Sequence, residues 1–257
     1  MTTDDLGAVP ESPDALLADP RIRTDHFRLL EDPDGAVLLI GVVHDHPASV
    51  YRVDSAIRAL DPDTVAVELP PLALPLFEAG GEGEMSAALA ATDADSAAID
   101  AHGPRFLAAL VDEIRDRSPD RETLGRIASN AITVGRQALS CRLASVFGRD
   151  RFPTPLADGG IDLDVERPGD PATVAEHERR HLSRSFSVLR AFERPAADEI
   201  ADAARERTMA RALAGTDGTA VAVVGFEHLD GIVAELRDRG ATSLSVDAGT
   251  LCEYAEK

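Results

Sequence analysis

Residues 36–69, AVLLIGVVHDHPASVYRVDSAIRALDPDTVAVEL, decide the fold that we predict for this chain of 257 residues. Residues 36–43 are almost wholly apolar and rich in β-branched side chains, which is typical of a strand covered on both faces. Residues 47–60 carry apolar side chains at helical spacing. Residues 64–67 then return as a strand. Because parallel strands are joined by right-handed crossovers, this order predicts a strand, a helix and a parallel strand.

A second copy of the first half lies near the C-terminus, where residues 219–224 predict another strand. In both copies a His follows a Gly by three residues, at the point where a strand gives way to a helix. The pairs are Gly41 with His44 and Gly225 with His228. Because Gly41 has no Cβ, another backbone or a ligand can approach closely there.

Three polar side chains, His44, Glu68 and His228, follow predicted strands. Ligands of open α/β sheets bind outside the carboxyl ends of the strands, and adjacent strands lie only ~4.8 Å apart. We therefore expect the three side chains to share one site. Two imidazoles, a carboxylate and an open position for water describe a catalytic zinc-type site. The alternatives are histidines that cap a helix or fill a gap in the core, and a Glu68 that accepts backbone N–H groups at a helix start.

At these residues the chain resembles the TraB/PrgY family, whose wider relatives include the Tiki metalloproteases, the erythromycin esterases and the ChaN-like proteins. The resemblance is carried by GVVH at 41–44, VAVEL at 65–69 and VVGFEHLDGI at 223–232, and by the charged helix sequence RERTMA at 205–210. It implies an α/β core and, by analogy with Tiki, metal-dependent hydrolysis of a peptide-like substrate.

The predicted fold class is α/β, with a mostly parallel, mixed central sheet flanked by helices. Residues 1–22 predict a flexible lead-in, and residues 23–257 a single TraB-like domain. Residues 26–30 predict a first strand, which forms a hairpin with the motif strand across a turn signal. Residues 243–246 predict a last strand. The mainly helical insert, about 72–214, is predicted to form a cap or a dimerisation arm beside the sheet.

Several segments outside the predicted site have two possible interpretations or no predicted role in the site. The acidic stretches at 80–83 and 92–95 predict a mobile insert, which is either a lid over the site or a surface loop. Residues 161–165 predict a short strand. His177 and His181 have the spacing of metal ligands on a helix but lack the H-E-x-x-H pattern, so we predict a surface helix. His26 is predicted to be a surface residue of the first strand.

In the hydrolase hypothesis, His44, Glu68 and His228 hold a divalent ion such as Zn, Mn or Co. The ion lowers the pKa of a bound water toward ~7 and polarises a carbonyl. Glu227, or Glu68 if it is not a ligand, is the predicted general base. No organic cofactor is predicted.

The remaining site residues are predicted to support this centre. Asp45 and His46 are candidates to orient His44. Glu206 and Arg207 are predicted to form an internal salt bridge that positions the site. The full supporting set is Gly41, Asp45, His46, Gly225, Glu206 and Arg207.

Two other functions remain open from the sequence. One is a non-catalytic binding or regulatory protein, because PrgY-like members limit a peptide signal and sequestration would achieve this. The other is a metal-free, esterase-like site in which a His is the general base. A conventional serine hydrolase is disfavoured, because the chain has no G-x-S-x-G elbow.

The composition limits the cellular environment and the classes of partner that we predict. The formal charge of −20 and the presence of a single Lys, Lys257, predict a haloarchaeal cytoplasmic protein with a strongly hydrated surface. An acidic protein of an Arg-rich, high-GC organism is the alternative. The charge argues against nucleic-acid binding, and no apolar run reaches the ~18 residues of a membrane helix. Cys141 and Cys252 lack metal-ligand spacing. The predicted partners are a peptide or small-molecule substrate, with a homodimer left open.

Overall fold

The computed structural model describes residues 10, 12–100, 103–148, 170–191 and 194–257. It confirms the predicted α/β class, because a six-stranded mixed sheet is flanked by helices. In chain order the elements are α1 (Pro13–Ala18), β1 (Phe27–Glu31), β2 (Gly35–Val42), α2 (Pro47–Leu60), β3 (Thr64–Val67), α3 (Leu74–Glu78), α4 (Glu84–Ala90), β4 (Asp95–Ala98), α5 (Pro104–Arg117), α6 (Arg121–Phe147), α7 (Pro171–Ala191), α8 (Ala196–Leu213), β5 (Gly218–Gly225), α9 (Leu229–Asp238), β6 (Thr242–Leu244) and α10 (Ala248–Ala255). Single 3-10 turns, Thr24–His26 and Phe226–His228, precede β1 and follow β5.

The sheet has the strand order β4-β3-β5-β2-β1-β6. Strands β2, β5, β3 and β4 are parallel neighbours, whereas β1 is antiparallel to both β2 and β6. The predicted strands β2 and β3 are therefore parallel but not adjacent, because β5 lies between them. This order sets the carboxyl ends of the three motif strands side by side, with that of β5 in the centre.

The long apolar run of β2 is explained by helices on both faces of the sheet. Successive side chains of a strand point to opposite faces. Leu38 and Ile40 join one buried cluster together with residues of α2, and Val37 and Leu39 join a second cluster with residues of α8 and α9. Both faces of the strand are therefore core, as the unbroken hydrophobic pattern predicts.

Three local predictions need correction. His26 is not a surface residue of the first strand: the strand begins one residue later, at Phe27. The His26 side chain is 2% exposed, because its ring packs on Phe226. Leu16 and Ile22, in the predicted flexible lead-in, are buried in the core, and α1 occupies part of that segment. Asp95, the last residue of the predicted mobile insert, begins the edge strand β4, which pairs with β3. Residues 1–9 and the predicted strand 161–165 lie outside the described residues.

The insert that follows β3 is mainly helical, as predicted, although it also contains β4. Helices α5 and α6 pack on α8 through a small apolar cluster, Phe106, Ala109, Leu110, Ile127, Ala197, Ile200 and Ala204. Residues of these three helices face the carboxyl edge of the sheet across a cavity. Among the helices of the described residues, none is long and apolar enough to cross a membrane.

Candidate functional site

The carboxyl edge of the sheet and the helices of the insert enclose a cavity of about 680 Å³. Five predicted site residues line it together: His44, Asp45, Glu68, Glu227 and His228. The expected convergence of side chains from β2, β3 and β5 is therefore present in the structure. Most of the apolar wall comes from the insert: Phe77, Met85, Phe106, Leu110, Ile127 and Val134.

Arg205 of α8 lies at the centre of the cluster, although it was predicted only as part of the segment that carries the family resemblance. Its guanidinium donates to Glu68 Oε1 and, at 3.0 and 3.2 Å, to the two carboxylate oxygens of Asp100. Its Nη1 lies 3.1 Å from His228 Nε2. Burial opposes the charge of Arg205, but Glu68 and Asp100 outweigh burial and raise its pKa above the usual value.

Glu68 is held at both carboxylate oxygens. Oε1 accepts from Arg205, and Oε2 accepts from the backbone N–H of Gly225 at 2.6 Å. The side chain is 4% exposed. Glu68 thus connects the end of β3 to the end of β5. Its bond to the N–H of Gly225 agrees with the alternative to a metal ligand, in which Glu68 accepts backbone N–H groups.

His228 is buried and is also contacted at both ring nitrogens. Nδ1 lies 3.0 Å from Glu206 Oε1, and Nε2 faces Arg205. When the ring is neutral, Arg205 donates to Nε2, so the ring proton lies on Nδ1 and is donated to Glu206. Burial lowers the pKa of His228, but the hydrogen bond to Glu206 and the charge of Glu68 outweigh burial and leave the pKa raised.

These contacts test whether Glu68 and His228 fit a divalent ion. A metal ligand offers a lone pair, but each oxygen of Glu68 already accepts one hydrogen bond, from Arg205 or Gly225, and the single Nε2 lone pair of neutral His228 faces Arg205. The positive guanidinium also lies where the ion would have to bind. Across residues 12–100, 103–148, 170–191 and 194–257, no three His, Cys, Asp or Glu side chains are grouped so that they could hold a metal ion. The arrangement therefore does not fit the predicted His44, Glu68 and His228 ligand set.

His44 instead forms a pair with Glu84, a residue that the sequence reasoning missed. His44 Nδ1 lies 2.7 Å from Glu84 Oε1, and the backbone N–H of Asp45 donates to Glu84 Oε2 at 2.9 Å. The hydrogen bond to Glu84 raises the pKa of His44 to about 9, against burial and with help from the charges of Glu68 and Glu227. The side chain of His44 is 43% exposed, whereas that of Glu84 is 4% exposed.

Glycines shape the backbone around this pair. Gly83, just before Glu84, has a φ of +87°, and a Cβ there would lie 2.6 Å from Asp45 Oδ1. Gly41 is also needed for a close approach, which is made by the side chain of Leu229, 2.5 Å from where a Cβ would lie. The predicted partner there was a backbone or a ligand.

Asp45 and His46 act differently from the prediction that both orient His44. Asp45 contributes through its backbone N–H, which shares Glu84 with His44. His46 is fully buried and turns to other partners: its Nδ1 accepts from the N–H of Ala48, and its Nε2 lies 3.1 Å from His177 Nδ1. His177 is half-buried and contacts His46 of the motif. The prediction that this part of the helix is only surface is therefore corrected.

Glu206 and Arg207 do not form the predicted salt bridge with each other. Glu206 contacts His228, whereas Arg207 pairs with Glu113 at 2.6 Å and with Glu235 at 3.2 Å. Consecutive residues of a helix point in different directions, so neighbours along the chain do not face each other. Glu206 remains a contact of the site, and Arg207 links α8 to α5 and α9.

Gly225 gives room to the predicted general base. A Cβ at this position would lie 3.1 Å from the carboxylate of Glu227. Glu227 is exposed and lines the cavity. Gly225 therefore serves two groups, because its N–H holds Glu68 and its missing side chain leaves space for Glu227.

Gly231 to Ala is expected to lower the free energy of unfolding by about 1–3 kcal/mol, because it separates Glu206 from buried His228. A Cβ at Gly231 would overlap the Glu206 carboxylate, so that side chain must turn away. Urea denaturation measures the loss. Gly125 to Ala is the control, because Gly125 also lies in a helix and a Cβ there meets nothing within 4 Å. Equal stability of the two variants would contradict the expectation.

The fold and the cavity define an α/β protein with a charged cluster at the carboxyl edge of a mixed sheet. No family model matches the chain, and no solved structure matches it. A kynureninase of Xanthomonas campestris pv. campestris (strain B100) is 35% identical over 121 residues, which are 46% of this chain and 25% of that protein. The chain thus matches about a quarter of the length of this curated relative.

Proposed function

We propose that the protein is a hydrolase whose acid and base are side chains of the cavity, without a metal ion at Glu68 and His228. The observation that carries this proposal is the His44–Glu84 pair at the cavity wall. A histidine whose Nδ1 is fixed by a buried carboxylate has its Nε2 left for a substrate, which is the usual arrangement of an acid–base catalyst.

The pKa of His44, about 9, makes it the proton donor at neutral pH. In the proposed reaction, Glu227 accepts a proton from water as the water oxygen bonds to the carbonyl carbon. His44 gives its proton to the leaving oxygen or nitrogen as the bond to the carbonyl carbon breaks. General acid–base groups of this kind contribute about 100- to 10,000-fold to a rate. Arg205, Glu68 and His228 form a hydrogen-bonded cluster that lines the same cavity.

The lining of the cavity bears on the class of substrate. Among the described residues that line it, eight are acidic and two are Arg, and the acidic ones are Asp45, Glu68, Glu82, Glu84, Asp100, Asp198, Asp202 and Glu227. Such a field repels anions and attracts cations. The apolar wall and the volume suit a molecule of drug or short-peptide size. We therefore propose a neutral or cationic ester or amide with an apolar part.

The resemblance to the TraB/PrgY family supports hydrolysis as part of this proposal, and the acidic composition supports a high-salt cytoplasm as its setting. The metal-dependent form of the hypothesis requires Arg205 to leave Glu68 and His228. The binding-protein form uses the same cavity without turnover. One experiment separates the three.

Purified protein is assayed against p-nitrophenyl esters and short fluorogenic peptide amides, with and without EDTA and with added Zn²⁺ or Mn²⁺. We expect turnover that EDTA leaves unchanged, because the guanidinium occupies the metal position. Turnover that EDTA abolishes and metal restores would establish the metal-dependent form. Binding of a substrate analogue without any turnover would establish the binding protein instead.

A further inference from the structure

A second buried polar cluster surrounds the strand end that leads to His44. It consists of Ser49 and Arg52 on α2 and Glu178 on α7, which are 0%, 0% and 1% exposed. These residues are separate from the lining of the cavity, and the hydrolase mechanism above does not use them. A buried carboxylate and a buried guanidinium are costly to remove from water, so their position calls for an explanation.

Glu178 joins the other two residues directly. Its Oε1 accepts from Ser49 Oγ at 2.7 Å, and its Oε2 accepts from Arg52. Beyond this pair, Ser49 Oγ accepts the backbone N–H of Val43 at 2.9 Å, and Arg52 donates to the backbone carbonyl of Gly41 at 3.2 Å. The cluster therefore reaches the backbone of two residues that closely precede His44, and through Arg52 it also reaches the backbone carbonyl of Arg21.

These bonds begin where the sheet stops holding the chain. The pairing of β2 with β5 ends at Val42, opposite Gly225. The next N–H, that of Val43, has no strand partner in this pairing and is held by Ser49 instead. The polar cluster thus extends the fixed backbone by one residue, up to His44.

The same helix also holds the chain on the far side of His44. His177, the residue before Glu178, contacts His46 at 3.1 Å, and His46 begins α2 as its N-cap. Two consecutive residues of α7 are therefore linked to this chain segment, His177 directly at residue 46 and Glu178 through Ser49 at residue 43. The segment between them carries His44 and the N–H of Asp45, which both contact Glu84.

Stability alone does not explain an ion pair here. Replacing a buried ion pair by apolar side chains of similar volume is often neutral or stabilising. An apolar pair, however, would not form the hydrogen bonds that connect this cluster to the N–H of Val43 and the carbonyl of Gly41. We infer that Glu178 is a positioning residue, which acts through Ser49 and Arg52 to hold His44 in contact with Glu84.

This inference rests on the proposed function only for its kinetic measurement. The variant is Glu178→Gln, and the control is Glu176→Gln, which lies on the same helix but is paired with Arg179 and Arg180. Proton NMR follows the low-field Nδ1–H signal of His44 in its bond to Glu84, and assays give kcat and KM. A displacement near 1 Å costs about 100-fold in rate.

We expect Glu178→Gln to shift or abolish the His44 signal and to lower kcat by up to about 100-fold with a smaller change in KM. Glu176→Gln should change neither. Because Glu178→Gln leaves the charge of Arg52 without its carboxylate partner, Ser49→Ala serves as a second variant, which keeps the ion pair but removes the acceptor for Val43 and the hydroxyl donated to Glu178. Circular dichroism and urea denaturation check that each variant is folded.

A folded Glu178→Gln or Ser49→Ala protein with an unchanged His44 signal would overturn the inference. Loss of the fold in both variants would also overturn it, because the cluster would then serve folding alone. A shifted His44 signal in the variants, with no turnover in the unmodified protein, would support the positioning role and reject the hydrolase.

Discussion

Arg205 to Met is expected to lower the free energy of unfolding by about 3–5 kcal/mol, because removing one partner leaves buried charges uncompensated. Arg205 lies within hydrogen-bonding distance of Glu68, Asp100 and His228. Met has a similar length and keeps the apolar contacts of the side chain. The loss therefore reports the charge, and urea denaturation at neutral pH measures it.

Arg211 to Met is the matched control, because Arg211 lies on the same helix, α8, and is exposed. Surface substitutions of this kind change stability by about 0.5 kcal/mol or less. If Arg205 to Met were as mild as the control, Glu68 and Asp100 would not depend on the guanidinium. These residues would then be solvated side chains, and Arg205 would not prevent a metal ion from binding at Glu68 and His228.

The central strands of the fold are predictable because their signal is local. Strands β2, β3 and β5 are short apolar runs ended by Gly, Asp or Pro, and α2 shows helical periodicity. The position of β5 between β2 and β3 is not local, because strand pairing joins segments about 150 residues apart. Strand β4 was missed because its sequence, DSAA, is short and half exposed at the sheet edge and carries no apolar run.

The candidate site divides in the same way. The shared location of His44, Glu68 and His228 could be predicted, because each follows a strand whose carboxyl end has a known place in an α/β sheet. Glu84 and Arg205 could not be assigned their roles, because they reach the site from helices of the insert. A helical pattern places a charged residue on a face, but only tertiary packing decides whether that face meets water or another charge.

His44 to Ala is expected to lower kcat/KM by about 100- to 10,000-fold, because it removes the proposed proton donor. In the unmodified protein the active form of His44 is the imidazolium, since Glu84 raises its pKa to about 9. The rate should therefore be maintained at neutral pH and fall as the pH rises through about 9. His181 to Ala is the control, because His181 lies on α7 and is not among the described residues that line the cavity.

Glu84 to Gln tests the cause of that pH dependence while keeping the size of the side chain. Without the carboxylate, the main contribution that raises the pKa of His44 is lost, so the alkaline fall in rate should move to lower pH. The raised pKa of His44 also means that its protonation stabilises the folded state. This stabilisation is complete below the unfolded-state pKa of 6.5 and is lost as the pH rises through about 9. An alkaline limb that stays in place in Glu84 to Gln would assign the titration to another group, and His44 would no longer be the proton donor.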